Sequence, residues 1–264
     1  TFSLYQISPS NFSSISSFEV PEKIIQIVIS QDNSRAFWVA QDKVIIVNIS
    51  NPENLTILGK YTMIQEESRM TLSRDGKTGF LTFSRAKENN MAILDLSDPQ
   101  NITRKGSVQI GKMSEFSKSI LSNDEQTLFL IANKLLVYNV SDKSDPKLIA
   151  KLSFLHDEHY LIGFSLSGIL SPDGKTLIIR DSSSIRENKI HLISVSDVAS
   201  PKIQSDFHFP SVYHEVSYKG KYFWVSADPK TLYIARPSSI MVVDISNSSS
   251  PKYFPALSRR HHGA

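Results

Sequence analysis

One short phrase recurs along the chain: an apolar run, then Asp or Asn, an aliphatic residue and Ser. It reads Val44-Ile45-Ile46-Val47-Asn48-Ile49-Ser50, then Ala92-Ile93-Leu94-Asp95-Leu96-Ser97, then Leu136-Val137-Tyr138-Asn139-Val140-Ser141. Two later copies are Leu192-Ile193-Ser194-Val195-Ser196 and Met241-Val242-Val243-Asp244-Ile245-Ser246, and a weaker one, Leu4-Tyr5-Gln6-Ile7-Ser8, opens the chain. The closing serines are spaced by 42, 47, 44, 55 and 50 residues. A period of that length marks a repeat architecture, in which each unit buries its faces only against its neighbours.

A second phrase, Ser-x-Asp, interleaves with the first at Ser30/Asp32, Ser73/Asp75, Ser122/Asp124, Ser171/Asp173 and Ser226/Asp228. Two copies continue as Asp75-Gly76-Lys77 and Asp173-Gly174-Lys175. Asp-Gly between apolar runs signals a tight hairpin, because Gly takes positive φ without steric cost. A strand follows each copy, at 36–39, 78–83, 127–131, 176–179 and 231–234. Each unit therefore reads as four strands, a to d. Strand a ends at Ser-x-Asp, b follows the turn, c is the Asp/Asn-aliphatic-Ser phrase, and d follows a turn such as Asn51-Pro52-Glu53-Asn54. No 3.6-residue apolar pattern lasts the ten or so residues a helix needs.

Four short antiparallel strands in each repeat of this length predict an all-β chain, a β-propeller of about five and a half to six four-stranded blades. The expected layout is a half-blade over 2–18, blades at about 23–62, 66–109, 115–154, 162–207 and 216–257, and a polar tail at 258–264. The opening copy has strands c and d but no a or b, and no spare pair follows the last blade. Either the blade count is off by one, since the stretch 210–220 with Tyr213, Val216 and Tyr218 could hide an extra strand, or a partner chain or missing sequence supplies the complement.

Composition narrows the function classes. Apolar residues are 40% and charged residues 21% of 264, ordinary for a packed domain. The net charge of +3 gives no field suited to nucleic acid. The longest apolar runs fall far short of the roughly 20 residues that span a bilayer. The absence of cysteine rules out disulfides, thiolate zinc sites and a Cys nucleophile. No targeting segment precedes the first strand, so any such signal is expected to have been removed or to lie outside this sequence.

The strand-c phrase followed by Asn-Pro or Ser-Pro, as in Val44–Pro52 and around Met241–Ser246, resembles the LVIVD repeat. The Ser171–Lys175 stretch also resembles the hairpin of other propeller repeats. The resemblance extends over nearly the whole chain at blade level and departs from the pattern at Ser194 and Gln6. It implies a propeller of the kind found in cell-surface and secreted proteins, hence an extracellular or cell-surface setting, and it is tied to no single chemistry.

Asn-x-Ser/Thr sequons, acceptors for N-linked glycans, occur at Asn11, Asn48, Asn54, Asn101, Asn139 and Asn247. Asn11, Asn54 and Asn101 fall in corresponding c–d turns, and Asn247 in the last one. Asn48 and Asn139 occupy the slot of Asp95 and Asp244, so their side chains are expected to bond the local backbone. Glutamates recur near the entry to strand a, at Glu22, Glu67, Glu115, Glu158 and Glu215. Around a propeller channel such carboxylates could act as acid and base on a glycan, but solvated charges at a channel mouth are the expectation. His156-Asp157-Glu158-His159 has zinc-binding side chains, yet successive strand residues point to opposite faces, which favours an exposed loop. No Gly-x-Ser-x-Gly, phosphate-loop or calcium-loop motif is present, so no catalytic, cofactor or metal residue is singled out. Arg259-Arg260 in the polar tail could serve as a processing pair.

The sequence thus leads to a non-enzymatic extracellular structural or adhesive module, N-glycosylated and self-assembling, even filamentous, through its incomplete blade. The partners expected are copies of itself or a larger protein, together with N-linked glycans; no cofactor, nucleic acid or membrane span is expected. Two alternatives stand beside it: a propeller enzyme acting on glycans or lactones, and a peptide-binding scaffold.

Overall fold

The computed structural model describes residues 2–8, 11–18, 23–62, 66–85, 88–111, 118–132, 134–154, 166–181, 187–210, 223–235, 239–254 and 257–258. These form strands and turns, with no helix among them. β1 (Phe2–Ser8) and β2 (Asn11–Phe18) make a two-stranded antiparallel sheet. Four-stranded sheets follow in chain order. The first is β3 (Ile24–Ile29), β4 (Arg35–Ala40), β5 (Lys43–Asn48) and β6 (Thr56–Thr62). The second is β7 (Glu66–Leu72), β8 (Thr78–Arg85), β9 (Glu88–Asp95) and β10 (Thr103–Gly111). The third is β11 (Lys118–Leu121), β12 (Thr127–Ile131), β13 (Leu135–Asn139) and β14 (Lys147–Leu152). The fourth is β15 (Leu166–Leu170), β16 (Thr176–Asp181), β17 (Glu187–Ser194) and β18 (Lys202–Pro210).

The fifth sheet joins β19 (Phe223–Val225), β20 (Thr231–Ala235), β21 (Ser239–Asp244) and β22 (Lys252–Tyr253), with β23 (Leu257–Ser258) also on β21. Lys252 pairs with Asp244 and Tyr253 with Val243, Phe254 N–H donates to the Val242 carbonyl at 2.9 Å, and Leu257 pairs with Ile240. β22 and β23 are therefore one interrupted outer strand. Each sheet is a meander in sequence order, the form of a propeller blade. The chain is an all-β propeller with five four-stranded blades, and β1 and β2 form a further two-stranded sheet.

The chain divides into two units, residues 1–121 with 139–147, and residues 122–138 with 148–264. In the first, Phe37, Val39, Val44 and Ile46 of one blade interlock with Met70, Leu81, Phe83, Ala92 and Leu94 of the next. In the second, Ile178, Ile190, Leu192 and Phe207 meet Phe223, Leu232, Ile234, Met241 and Val243. Strands b and c are unbroken apolar runs because they are covered on both faces, so an alternating polar pattern would put charge in the core. Ala36 to Ala40 and Val44 to Val47 are all buried.

Polar links join blades where apolar packing gives out. In the first unit, the Gln26 amide donates to the Met70 carbonyl (3.0 Å) and accepts its N–H (2.8 Å), copying a strand partner between β3 and β7. The Thr71 hydroxyl lies 2.7 Å from Ser119 Oγ, which ties β7 to β11. At the outer strands the backbones come closer still. A Cβ on Gly59 would lie 1.6 Å from the Pro99 carbonyl oxygen, and one on Gly106 would lie 2.3 Å from that of Lys143. In both places the turn after strand c of one blade sits on the outer strand of the blade before it. In the second unit, Ser205 Oγ donates to the Ser248 carbonyl at 2.6 Å across the corresponding joint.

Candidate functional site

Two kinds of turn dominate the polar surface. In each a–b turn the Ser hydroxyl donates to the carboxylate two residues on and accepts the N–H five residues on. Ser73 Oγ is 2.6 Å from Asp75 Oδ1 and 2.9 Å from Thr78 N, and Asp75 also accepts Lys77 N–H at 3.0 Å. Ser30, Ser122, Ser171 and Ser226 repeat the arrangement with Asp32, Asp124, Asp173 and Asp228. The fourth residue takes left-handed φ: 55° at Asn33, 66° at Gly76, 61° at Glu125 and 71° at Gly174. The Ser30 hydroxyl, the Ser34 N–H and the Ser34 hydroxyl hold the Asp32 carboxyl down at about 2. The Ser hydroxyl likewise leads in lowering Asp75, Asp124 and Asp228. These aspartates spend their lone pairs on their own hairpins, which makes them braces rather than ligands.

The turns after strand c contain the sequons. Asn48 Oδ1 accepts Ser50 N–H (2.9 Å) and Asn139 Oδ1 accepts Ser141 N–H (2.9 Å). Asp95 and Asp244 do the same for Ser97 (3.0 Å) and Ser246 (2.8 Å). Asn48 and Asn139 thus share the backbone-bonding geometry of the acids in their slot, with Asn48 half-buried and Asn139 exposed. Lys105 Nζ, 2.9 Å from Asp95 Oδ2, leads in holding that carboxyl at about 2. Asn247 Oδ1 accepts Ser249 N–H at 3.1 Å, so it matches Asn51 and Asp98, which open the equivalent turns. Asn54 and Asn101 close those turns, their N–H groups bonded to Asn51 O and Asp98 O, both at 3.1 Å. Both side chains are exposed, as are the sequon threonines Thr56 and Thr103. Asn11 opens β2.

Of the recurrent glutamates, Glu67 lies on β7, and Glu22, Glu115, Glu158 and Glu215 lie outside the described residues. The same holds for His156 to His159, the 211–220 stretch and Arg259-Arg260. Among the described residues no group of three His, Cys, Asp or Glu gathers as a metal site, and no helix is long and apolar enough to cross a membrane.

Sequence reasoning missed a polar network around a buried histidine in the second unit. His191 on β17 is fully buried, with Nδ1 2.8 Å from Asp206 Oδ1 on β18 and its ring edge-on to Phe154, centroids 5.0 Å apart. Lys189 Nζ is 3.0 Å from Asp206 Oδ2. Burial pushes the Asp206 carboxyl up, but the hydrogen bond from Lys189 and the facing His191 outweigh it and hold it below the ordinary value. The signal was the pair Lys189/His191, two apart on an apolar strand and so on one face. His191 is sealed from solvent while Lys189 and Asp206 keep partial exposure, and the network ties β17 to β18.

Three segments, residues 37–63, 86–110 and 214–254, match the LVIVD repeat. The chain carries LVIVD repeats. No curated protein sequence matches it. Among solved structures it is similar to a candidate 6-phosphogluconolactonase of Bacteroides fragilis, with TM-score 0.73 and 10% identity over 97% of this chain and 77% of that one. It is similar to the periplasmic gluconolactonase of Pseudomonas aeruginosa, with TM-score 0.71 and 12% identity over 96% and 76%. It is also similar to a chain of a mitotic checkpoint complex, with TM-score 0.66 and 13% identity over 98% and 74%. Identities this low establish the propeller fold and nothing of the chemistry. One LVIVD-repeat fold thus resembles both enzymes and an assembly component.

Proposed function

We propose that this LVIVD-repeat propeller is a non-enzymatic extracellular or cell-surface module, N-glycosylated on its c–d turns, that assembles through its incomplete blade. The carrying observation is the β1–β2 sheet, two strands wide where each of the five others has four. A strand edge left open in a sheet is a template for another chain. Partners of this kind are copies of itself or a larger protein, and head-to-tail donation between copies would extend into a filament. The exposed side chains of Asn54 and Asn101 support the glycoprotein part of the reading. Intact mass of protein from its native source, with and without glycosidase, tests the sugars, and light scattering tests the assembly. Unmodified, concentration-independent monomers would overturn both halves.

A second reading, hydrolysis of lactones or glycans, draws on the likeness to the gluconolactonase fold. Turnover of gluconolactone by the purified chain, lost on Glu67→Gln, would favour it over the first.

A further inference from the structure

His191 occupies a slot that is apolar in other blades. It pairs with Ile179 on β16. The same register places Ile45 opposite Trp38, Ala92 opposite Leu81 and Met241 opposite Ile234. Two neighbours of His191 have changed with it. Asp206, its partner on the outer strand, stands where the first blade has Lys60 and the second has Ser107. Asp181, on β16, stands where those blades have the buried Ala40 and Phe83, counting from the Ser that opens each a–b turn. A blade of this register thus folds without any of the three, and burying them costs free energy unless they satisfy one another.

They do so on one side of the ring. The Asp206 carboxyl is held ionised with Lys189 Nζ at 3.0 Å, so the 2.8 Å contact with His191 Nδ1 is a hydrogen bond donated by the imidazole. On the other side Nε2 is buried with no hydrogen-bond partner, and Asp181 Oδ2 lies 3.9 Å away. In a neutral ring Nε2 is a lone pair sealed beside a carboxylate, unsatisfied and repelled. In a protonated ring it is a cationic donor in front of an anion. The charges around it leave room for that cation. Two carboxylates, Asp181 on β16 and Asp206 on β18, stand against the single ammonium of Lys189 on β17, and His208 further along β18 is exposed. Arg180 lies on the opposite face with its strand partner Ile190, which packs toward the fifth sheet. From the third sheet the Phe154 ring covers His191; β12 and β13 carry no charge, and Lys147 and Lys151 of β14 are exposed. Burial opposes a charge on the ring, but two flanking carboxylates favour it.

We infer that His191 is a proton-operated clamp: a proton taken up at Nε2 turns a one-sided hold on Asp206 into a bridge from β18 across β17 to Asp181 on β16. The gap between Nε2 and Asp181 Oδ2 then closes by about 1 Å, to the length of a charge-assisted hydrogen bond. The proton comes from solvent, which reaches the cluster at the partly exposed Lys189 and Asp206. Mild acid therefore tightens the fourth blade, the opposite of its effect on the turn aspartates. It does so over a higher range, because histidine is the side chain that ordinarily changes charge between about pH 5 and 8. The clamp works within one blade, whether or not the chain assembles.

The test follows the full chain from about pH 8 to about pH 5 by nitrogen NMR of the His191 ring and by amide exchange of β17 and β18, corrected for the intrinsic effect of pH. The ring signals are assigned by their loss in His191→Met, which installs the residue of the fifth blade's slot. Acidification should move Nε2 from the unprotonated to the protonated shift while Nδ1 stays protonated throughout. Protection of β17 and β18 should rise by about tenfold or more over the same range. Asp181→Asn keeps the bond to Asp206 and removes the anion before Nε2, so its gain in protection should be less than about twofold. His191→Met should show no gain, and Asp181→Asn alone decides if that variant does not fold. Each chain is compared with itself at the two ends of the range, so a general loss of stability in a variant does not blur the result. An Nε2 still unprotonated at about pH 5, a ring doubly protonated already at about pH 8, equal gains in wild type and Asp181→Asn, or wild-type protection that falls with pH would each overturn the inference.

Discussion

The turn between strands a and b and the turn between strands c and d are both built on Asp, Asn and Ser, yet they are stabilised from different distances. The a–b turn closes on itself. Ser73, Asp75, Lys77 and Thr78 satisfy one another within six residues. The c–d turn is braced locally by its Asx bonds but seated on another blade, where Pro99 meets Gly59 and Lys143 meets Gly106. One turn is therefore written in a contiguous motif, and the other in a glycine some forty residues away. Changes at the joint should damage packing between blades, and changes at the motif should damage one hairpin.

The largest effect is expected from Gly59→Ala. Its methyl group would sit 1.6 Å from the Pro99 carbonyl oxygen, a backbone atom with no side-chain freedom to give way. Overpacking of this kind costs about 3 kcal/mol, and urea denaturation would read it as a lower midpoint. Gly111→Ala sharpens the comparison. Gly111 also sits on an outer strand, at φ 92°, but nothing lies within 4 Å of the added methyl, so only backbone strain of about 1 kcal/mol remains. Equal losses in the two variants would break the distinction between a seated joint and a strained backbone.

Ser73→Ala removes a hydroxyl that is 7% exposed and bonded to both Asp75 and Thr78 N–H. The Thr78 N–H then has to find another acceptor, and the loss should be about 1–2 kcal/mol. The same substitution at Ser50, an exposed residue of a c–d turn, should cost less than about 0.5 kcal/mol. Comparable losses at the two serines would show that the two turns are braced alike.

These differences also mark what could be seen in the sequence. The a–b turns were legible because all the bonding partners fall within one short motif, and so were the blades, since strands b and c must be apolar on both faces. The role of Asn48 and Asn139 was legible from the acids in their slot. Gly59 and Gly106 were not legible, because their reason is a carbonyl on another blade. Nor was the coupling of His191 to Asp206, which depends on the β17–β18 register and on a shift between Leu192 and Ile193. Exposure of Ile27 and Ile29 could not be read either, because both lie in an apolar run of strand a.

Acid should act on the a–b turns and on the aspartate-braced c–d turns over the same range, because Asp32 and Asp95 are both held at about 2 and Asp142 and Asp244 are also lowered. The Asp32 carboxyl ordinarily titrates at 3.8 and is held at about 2 in the fold. A group depressed in this way contributes stability that is fully present above 3.8 and is lost as the pH falls toward 2. Asp75, Asp124 and Asp228 are shifted in the same direction. The stability these carboxylates contribute should therefore be flat from neutrality to about pH 5 and decline below about pH 4. Asp32→Asn should lower the plateau and make the acid limb shallower. An unchanged limb would mean that the carboxylates leave their turns before they are protonated.

The smallest expected effect has the opposite sign. Glu125 holds φ 61° at the turn position where Gly76 and Gly174 take 66° and 71°. A side chain in the left-handed region clashes with its own backbone, at a cost of about 1 kcal/mol. Glu125→Gly removes that strain but adds freedom to the unfolded chain, which returns part of the gain. The net stabilisation should be about 0.5 kcal/mol, read as a small rise in the denaturation midpoint. Asn33, at φ 55°, is the control, because Asn tolerates this region through local hydrogen bonding and Asn33→Gly should be near neutral. If both substitutions stabilise equally, the strain belongs to the turn itself. If only Glu125→Gly does, the turn is sound and the third blade simply carries a poor residue for it.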